Sequence, residues 1–357
     1  MSRQVNCGGV LIGGGAPISI QSMTNTDTRN IPDTVKQIRQ LAEAGCDIVR
    51  CAVPDMEAAE ALGQIKKQVA TPLVADIHFD YRLAVAAIQN GADKVRINPG
   101  NIGDRDRVKA VIDAAKERQI PIRIGVNSGS LEKDILEKHK GVTAEGLAES
   151  ALRNIELVED MGFSDLVLSL KSSEVKLNYQ AHRLLSGKTD HPFHIGITEA
   201  GTVESGKVKS AIGIGALLLE GIGDTIRVSL TGDPLNEVLF ASEILKALQL
   251  KNNSIYFISC PTCGRCGVDL AVIAAEVEAA LKPVEDSMKK NNIPSFSVAV
   301  MGCAVNGPGE AKEADFGVAC GRGKGVLFRH GAIVKTVPEK EIGKELVNFI
   351  KQEKAIQ

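Results

Sequence analysis

The sequence predicts an α/β protein in two parts. An N-terminal (β/α)8 TIM barrel spans residues 1–240, a linker 241–254, and a smaller α+β domain carrying a metal centre 255–357. Three observations predict this. Short β-branched runs alternate eight times with segments whose apolar residues fall at helical spacing. The alternation stops after "TGDPLNEVLFASEILKALQL". A chain of 357 residues also exceeds what one hydrophobic core usually holds.

The opening "VNCGGVLIGGG" reads as a glycine-rich hairpin across the bottom of the barrel. Its GGG precedes a strand instead of following one, which argues against a nucleotide loop. The eight strands are expected at 18–22, 47–51, 72–76, 93–98, 121–126, 165–170, 193–198 and 224–229. Between them, stretches such as "TVKQIRQLAEAG" are amphipathic helices ended by Ala-Gly or Asn-Gly. Beyond Ser254 come a strand, a cysteine cluster, a helix, a strand, the loop "CAVNGPGEA", shorter strands and an amphipathic helix from about Pro338.

With 44% hydrophobic and 24% charged residues the composition is that of a soluble globular protein. The net charge of −2 predicts no nucleic-acid partner and no attraction to anionic membranes. The N-terminus has glycines where a secretory signal carries a continuous apolar region, and "AIGIGALLLEGIG" is cut by Glu220 well short of the ~20 residues a bilayer needs. The expectation is a cytoplasmic protein. In a reducing compartment clustered cysteines bind metal or do redox chemistry.

Active sites of this barrel class lie at the C-terminal ends of the strands. Arg50, Arg96, Arg123, Lys171 and Arg227 stand at or near five such ends. One arginine in a strand reads most simply as ion-paired scaffolding. Five cations converging on one mouth repel each other unless an anion lies between them, and the guanidinium fork suits phosphate. A diphosphate-like substrate is therefore expected. Gln21, Ser22, Asp76, His78, Asn98, Asn127, Glu199 and Ser229 share the rim. Glu199 reads either as a cap of the following helix or as the carboxylate that meets a substrate hydroxyl or proton. No dinucleotide fingerprint is present, so electrons must come from outside.

"CPTCGRC" (260–266) is a C-x2-C-x2-C run, half of a bacterial ferredoxin pattern. A structural zinc site wants a second close pair, yet only Cys303 and Cys320 remain in this domain, far apart in sequence. Iron–sulfur, zinc and a plain redox-active C-x-x-C are the readings the residues leave open.

"CPTCGR" followed by "GCAVNGPGEA", behind a barrel with "QSMTNTDT", "DIHFD", "RINPGN", "IRIGVNSGS", "SLKSS", "ITEAGT" and "IRVSLTGDP", closely resembles the bacterial 4-hydroxy-3-methylbut-2-enyl diphosphate synthases along nearly the whole chain. The resemblance implies a [4Fe–4S] cluster held by Cys260, Cys263, Cys303 and Glu310. An easily displaced carboxylate would leave one iron open to substrate. Cys266 stands where relatives commonly have a non-thiol, so an all-cysteine set of 260, 263, 266 and 303 is the competing ligand set. The implied substrate is 2-C-methyl-D-erythritol 2,4-cyclodiphosphate, opened and dehydroxylated with two electrons from reduced flavodoxin or ferredoxin. Under this reading Arg50, Arg96, Arg123, Lys171, Arg227 and Ser229 clamp the diphosphate, and Asp76, His78, Asn127 and Glu199 position the erythritol part. Glu199 stands nearest the acid chemistry, and Asn306 hydrogen-bonds the iron-bound group. A homodimer is also implied, each cluster domain capping its partner's barrel. Two other classes compete: a Schiff-base enzyme on Lys171 with a structural metal domain, and a non-catalytic iron–sulfur carrier or sensor. Cys7, Cys46, Cys51 and Cys320 read as buried small hydrophobes.

Overall fold

A computed structural model describes residues 1–303 and 311–355. The chain divides into two compact units, Met1–Leu248 and Gln249–Gln357.

The first unit opens with a hairpin, β1 (Val5–Cys7) and β2 (Val10–Ile12), paired antiparallel. The turn holds Gly8 at φ +57° and Gly9 at φ +99°, left-handed conformations that glycine adopts without penalty. Eight parallel strands follow: β3 (Ser19–Met23), β4 (Ile48–Ala52), β5 (Leu73–Asp76), β6 (Lys94–Ile97), β7 (Ile122–Asn127), β8 (Leu166–Lys171), β9 (His194–Ile195) and β10 (Thr225–Ile226). They pair in the order β8-β7-β6-β5-β4-β3-β10-β9, and a parallel bridge between Leu168 and Phe193 joins the two ends into a barrel. A helix follows each strand, from Ile31–Glu43 after β3 to Pro234–Ala247 after β10. The helices begin where the sequence supplies a capping side chain: Asn30, Asp55, Asp80, Asp104, Thr143 and Asp233 each accept a backbone N–H of the first turn.

Period-two alternation sorts the strand residues. Ile20, Val49, Cys51, Leu73, Ala75, Val95, Ile97, Ile122, Ile124, Leu166, Leu168, Ile195 and Ile226 belong to the apolar layer shared with the helices. Ile48, Val74 and Val167, near the strand starts, pack with Val5, Cys7 and Ile12, so the hairpin plugs the N-terminal end of the barrel. Cys7, Cys46, Cys51 and Cys320 are all buried.

In the second unit β11 (Ile255–Ser259), β12 (Phe296–Met301) and β13 (Phe316–Gly321) run parallel, and β14 (Lys324–Arg329) and β15 (Ala332–Pro338) add antiparallel in chain order. Helices Leu270–Asn291 and Ile342–Lys354 pack on one face over Val298, Val300, Phe316, Val318 and Leu327. Ala299, Met301, Ala319 and Phe328, from alternate positions, gather with Ala311 and Ala314 in a smaller cluster.

The structure departs from expectation at three places. The helix Pro234–Ala247 runs through the first part of the expected 241–254 linker, because Ala241, Ile244 and Leu245 are buried in the barrel's apolar layer. Strands β9 and β10 stop at Ile195 and Ile226. There the Arg227 carbonyl comes within 2.3 Å of where a Cβ on Gly196 would lie, a path only glycine permits. The last helix starts at Ile342, since Pro338 ends β15 and a 3-10 turn, Glu339–Glu341, intervenes. Among the described residues no helix is long and apolar enough to cross a membrane.

If the hairpin is a structural plug, Ile12→Ala should lower unfolding free energy by about 2–5 kcal/mol in urea titration. A loss below about 1 kcal/mol, the range of surface changes, would show that it merely lies against the barrel.

Candidate functional site

The apolar outer layer leaves the alternate strand residues facing the barrel interior, and these are polar to an unusual degree. Interiors of this fold are normally packed with branched aliphatic side chains. Here register sets Asp76 beside Arg96, Arg96 beside Arg123, Gly125 beside Ser169, Asn127 beside Lys171, and Ser19 beside Thr225 beside His194. Among the described residues, Lys94 and Arg123 are the largest side chains with essentially no solvent exposure. The expected cations thus do more than ring the mouth. Arg123 is the second residue of β7 and Arg50 the third of β4, so both sit within the barrel.

Asp76, last residue of β5, ties them together. Its carboxylate lies 3.9 Å from Arg50 Nε, 3.5 Å from Arg96 Nη1 and 3.4 Å from His78 Nε2. Burial opposes its ionisation, but the Arg50 charge, the His78 hydrogen bond and Arg96 outweigh that and hold the carboxyl well below the usual carboxylate range. His78, mostly exposed, also puts Nδ1 3.5 Å from Arg96 Nη1. Gly125 gives Arg96 its place, because a Cβ there would come within 2.7 Å of Arg96 Nε. Arg123 donates to Gln21 Oε1 at 3.3 Å, while its Nε and Nη2 have no protein partner.

A second carboxylate, Glu237, was not singled out from sequence. It lies in the first turn of the helix after β10, is buried, and accepts from Ser22 Oγ at 3.0 Å and the Leu230 N–H at 3.0 Å. Arg227 Nε stands 3.5 Å from it. An acidic residue in a first helical turn reads as a dipole partner, so only burial reveals this role. Met23 was likewise missed. Its sulfur lies 2.9 Å from Arg50 Nη2. Lys94, which meets the Cys7 thiol of the hairpin, and His194, whose ring nitrogens have no hydrogen-bond partner, are also interior groups, with only the period-two pattern to signal them.

Two carboxylates against Arg50, Lys94, Arg96, Arg123, Lys171 and Arg227 leave the interior short of negative charge. Burial pushes Arg50 down to about 10, although Asp76 pulls the other way. Burial likewise depresses Arg123, with Arg50 and Arg96 adding repulsion. Lys171 is held well below the usual lysine range by burial and then by Arg50, Arg123, Arg227 and Arg96. Burial pushes Lys94 down to about 8. Burial, and then Arg123, Lys171, Lys94 and Arg50, hold His194 well below the usual imidazole range. Such an excess of buried positive charge is the chemistry that an anion with several oxygens would offset.

Ser229 follows β10, and Asn127 and Lys171 end β7 and β8, all at the C-terminal side of the barrel. Glu199 lies past β9, exposed, at φ +50°. The following helix is N-capped by Thr202 with no side-chain hydrogen bond, so Glu199 is not its cap. Unlike Gln119, Lys140, Asn292 and Ala355, which take the same left-handed conformation as helix C-caps, Glu199 ends no helix.

In the second unit Cys260 follows β11 directly and Cys303 lies just beyond β12, two strands paired side by side. The Gly302 N–H donates to Cys260 Sγ at 3.2 Å, the kind of bond that stabilises a metal-bound thiolate. Cys263 is exposed and Cys303 buried. Asn306 and Glu310 lie outside the described residues, and among those described no three His, Cys, Asp or Glu side chains are gathered closely enough to hold a metal. Two adjacent strand ends, an exposed knuckle cysteine and a backbone donor to sulfur are nevertheless a donor set that fits an iron–sulfur centre. Cys266 turns elsewhere: its thiol donates to the Val268 carbonyl at 3.2 Å.

Comparison with known proteins agrees with both halves. The family model described as the GcpE TIM-barrel domain matches residues 2–242, and that of the GcpE protein C-terminal domain matches 256–352. The 4-hydroxy-3-methylbut-2-en-1-yl diphosphate synthase (flavodoxin) of Caldanaerobacter subterraneus subsp. tengcongensis is 56% identical over 352 residues, covering 99% of this chain and 97% of the relative. The protein of the same name from Clostridium acetobutylicum is 55% identical over 349 residues, covering 98% of each. Among solved structures, Yersinia pestis dihydropteroate synthase (TM-score 0.50, 13% identity, 70% of this chain and 100% of that one) and Geobacillus kaustophilus 3-dehydroquinate dehydratase (TM-score 0.50, 16% identity, 70% and 98%) share the fold alone. With both family models matched in order over almost its whole length, the chain belongs to the GcpE family.

Proposed function

We propose that this chain converts 2-C-methyl-D-erythritol 2,4-cyclodiphosphate to (E)-4-hydroxy-3-methylbut-2-enyl diphosphate; the names of its relatives carry the product and the flavodoxin. It is an oxidoreductase that takes its electrons from reduced flavodoxin or a ferredoxin. The observation that supports this best is the barrel interior, where six cations face two carboxylates. A cyclic diphosphate supplies the missing negative charge. Arg50, Arg96, Arg123, Lys171, Arg227 and Ser229 hold its phosphoryl oxygens. Asp76 keeps the guanidinium planes of Arg50 and Arg96 in place, while His78 and Asn127 orient the erythritol part. Glu199, on its strained turn beyond β9, is placed to meet a substrate hydroxyl and hand over a proton.

Cys260, Cys263, Cys303 and Glu310 would hold a [4Fe–4S] cluster, with Asn306 beside it. When bound, the cluster supplies single electrons and a Lewis-acidic iron. The net change is a two-electron reduction: the C–O bond to one phosphoryl group breaks, opening the ring, and one hydroxyl leaves as water. The barrel's task is to hold the diphosphate and exclude water while this happens. The working unit is a cytoplasmic homodimer, each cluster domain serving its partner's barrel.

Iron-loaded protein with reduced flavodoxin should release the open-chain diphosphate from the cyclodiphosphate, and no product under anaerobic conditions would sink the proposal. Glu310→Ala should cut turnover by at least roughly 100-fold, since even groups behind metal ligands cost 10- to 100-fold, and should leave the urea midpoint unchanged. Undiminished turnover would remove Glu310 from the ligand set.

Lys171 adds a pH signature. Its proton affinity is depressed in the free protein and rises when a diphosphate arrives, so binding takes up protons between the two values. Affinity is then highest at the acidic side of that window and falls as pH rises through the higher value. Calorimetry of diphosphate binding in buffers of different ionisation enthalpy should show this uptake in wild type and lose it in Lys171→Met. Equal uptake in both would reassign it to another group.

A further inference from the structure

The cysteine that the ligand set leaves over, its thiol donating to the Val268 carbonyl, shares a turn with a proposed ligand. Cys263-Gly-Arg-Cys266 folds as a single turn, closed by a hydrogen bond from the Cys266 N–H to the Cys263 carbonyl at 2.9 Å. Gly264 and Arg265 form the turn itself. A turn of this kind brings its first and fourth Cα atoms within about 7 Å, overlapping the separation that a disulfide spans. The two thiols differ in access: Cys263 is exposed, and Cys266 is half-buried. Behind Cys266, its sulfur would lie 2.7 Å from a Cβ placed on Gly302, so the absence of a side chain at 302 is what lets the thiol sit there. Gly302 is also the residue whose N–H meets Cys260 Sγ. One glycine thus serves a proposed metal-ligand thiol on one side and the leftover thiol on the other. An exposed first cysteine and a shielded second one, two residues apart on a turn, form the arrangement of a dithiol that closes reversibly.

We propose that Cys263 and Cys266 are such a dithiol, and that their disulfide withdraws Cys263 from the metal site. The exposed Cys263 thiolate attacks a low-molecular-weight disulfide, such as oxidised glutathione, and releases one thiol. Cys266 sulfur then attacks the mixed disulfide, forming the Cys263–Cys266 bond and releasing the second thiol. Two protein thiols are oxidised, one external disulfide is reduced, and the two protons leave with the released thiols. Withdrawal of Cys263 converts the site to a form that takes up no iron until a reductant restores it. The consequence for iron rests on the iron–sulfur reading above, whereas the disulfide does not.

The test uses the full-length protein, both iron-loaded and chelator-stripped, treated with oxidised glutathione and then alkylated. Arg265 lies between the two cysteines, so trypsin separates them into peptides held only by the disulfide. The expected result is a linked pair in stripped wild type that is missing from both Cys263→Ser and Cys266→Ser and is suppressed in the iron-loaded form. Oxidised wild type should then take up several-fold less iron than after dithiol reduction, while Cys266→Ser takes up the same amount either way. A link that persists in Cys263→Ser, a preferred bond between Cys260 and Cys303, or thiols that remain fully alkylated would overturn the proposal. Protein that binds no iron in any redox state would instead sink the iron–sulfur reading, and the peptide map would still decide the dithiol.

Discussion

Everything in the first unit depends on placing more positive than negative charge inside a closed barrel. Arg50, Lys94, Arg96, Arg123, Lys171 and Arg227 face an interior that Asp76 and Glu237 only partly neutralise. Buried charge without a partner is among the costliest features a fold can carry. The barrel tolerates it because stability comes from elsewhere. The aliphatic residues on the outer faces of the same strands pack continuously against the helices, and the hairpin's Val5, Cys7 and Ile12 seal the lower end. An anionic ligand bound there would relieve the interior's repulsion, which is how binding energy becomes positioning.

Small residues do the spacing. Gly125 makes room for the Arg96 guanidinium, Gly196 for the backbone beside Arg227, and Gly302 for the Cys266 sulfur. Each is a place where one added methyl group would push a functional side chain or its supporting backbone aside. Their effect is therefore geometric, and none of them contacts a ligand through a side chain of its own.

The two units follow one rule. In each, parallel strands run toward a common edge and the candidate site residues gather at their C-terminal ends, where loops are free to vary without disturbing the ladder. Asp76, Asn127 and Lys171 occupy such ends in the barrel, as Cys260 and Cys303 do on β11 and β12. In the second unit the same edge carries the proposed ligand thiols and the turn Cys263–Cys266, so under that proposal metal loading and thiol oxidation would draw on one cysteine.

Much of this was legible in the residues. Eight strands, the hairpin, and the identity of Arg50, Asp76, Arg96, Arg123, Lys171 and Arg227 all follow from alternation, since a strand with aliphatic residues at every second position must turn the others the opposite way. The C-x2-C-x2-C run pointed to a candidate metal site because ligand spacing is written along the chain, whereas "GCAVNGPGE" falls mostly outside the described residues. Glu237, Met23 and the Arg123–Gln21 pair were not legible, because their partners come from strands and helices far apart in sequence. Nor was the depth of the cations: a linear pattern says which face a side chain takes, but how far it lies from water is set only when eight strands close on one another. The sequence by itself determined which groups the protein would bring to bear, and the tertiary structure decided which are buried, paired or left wanting an anion. Charge and spacing are properties of the chain, whereas desolvation belongs to the closed fold.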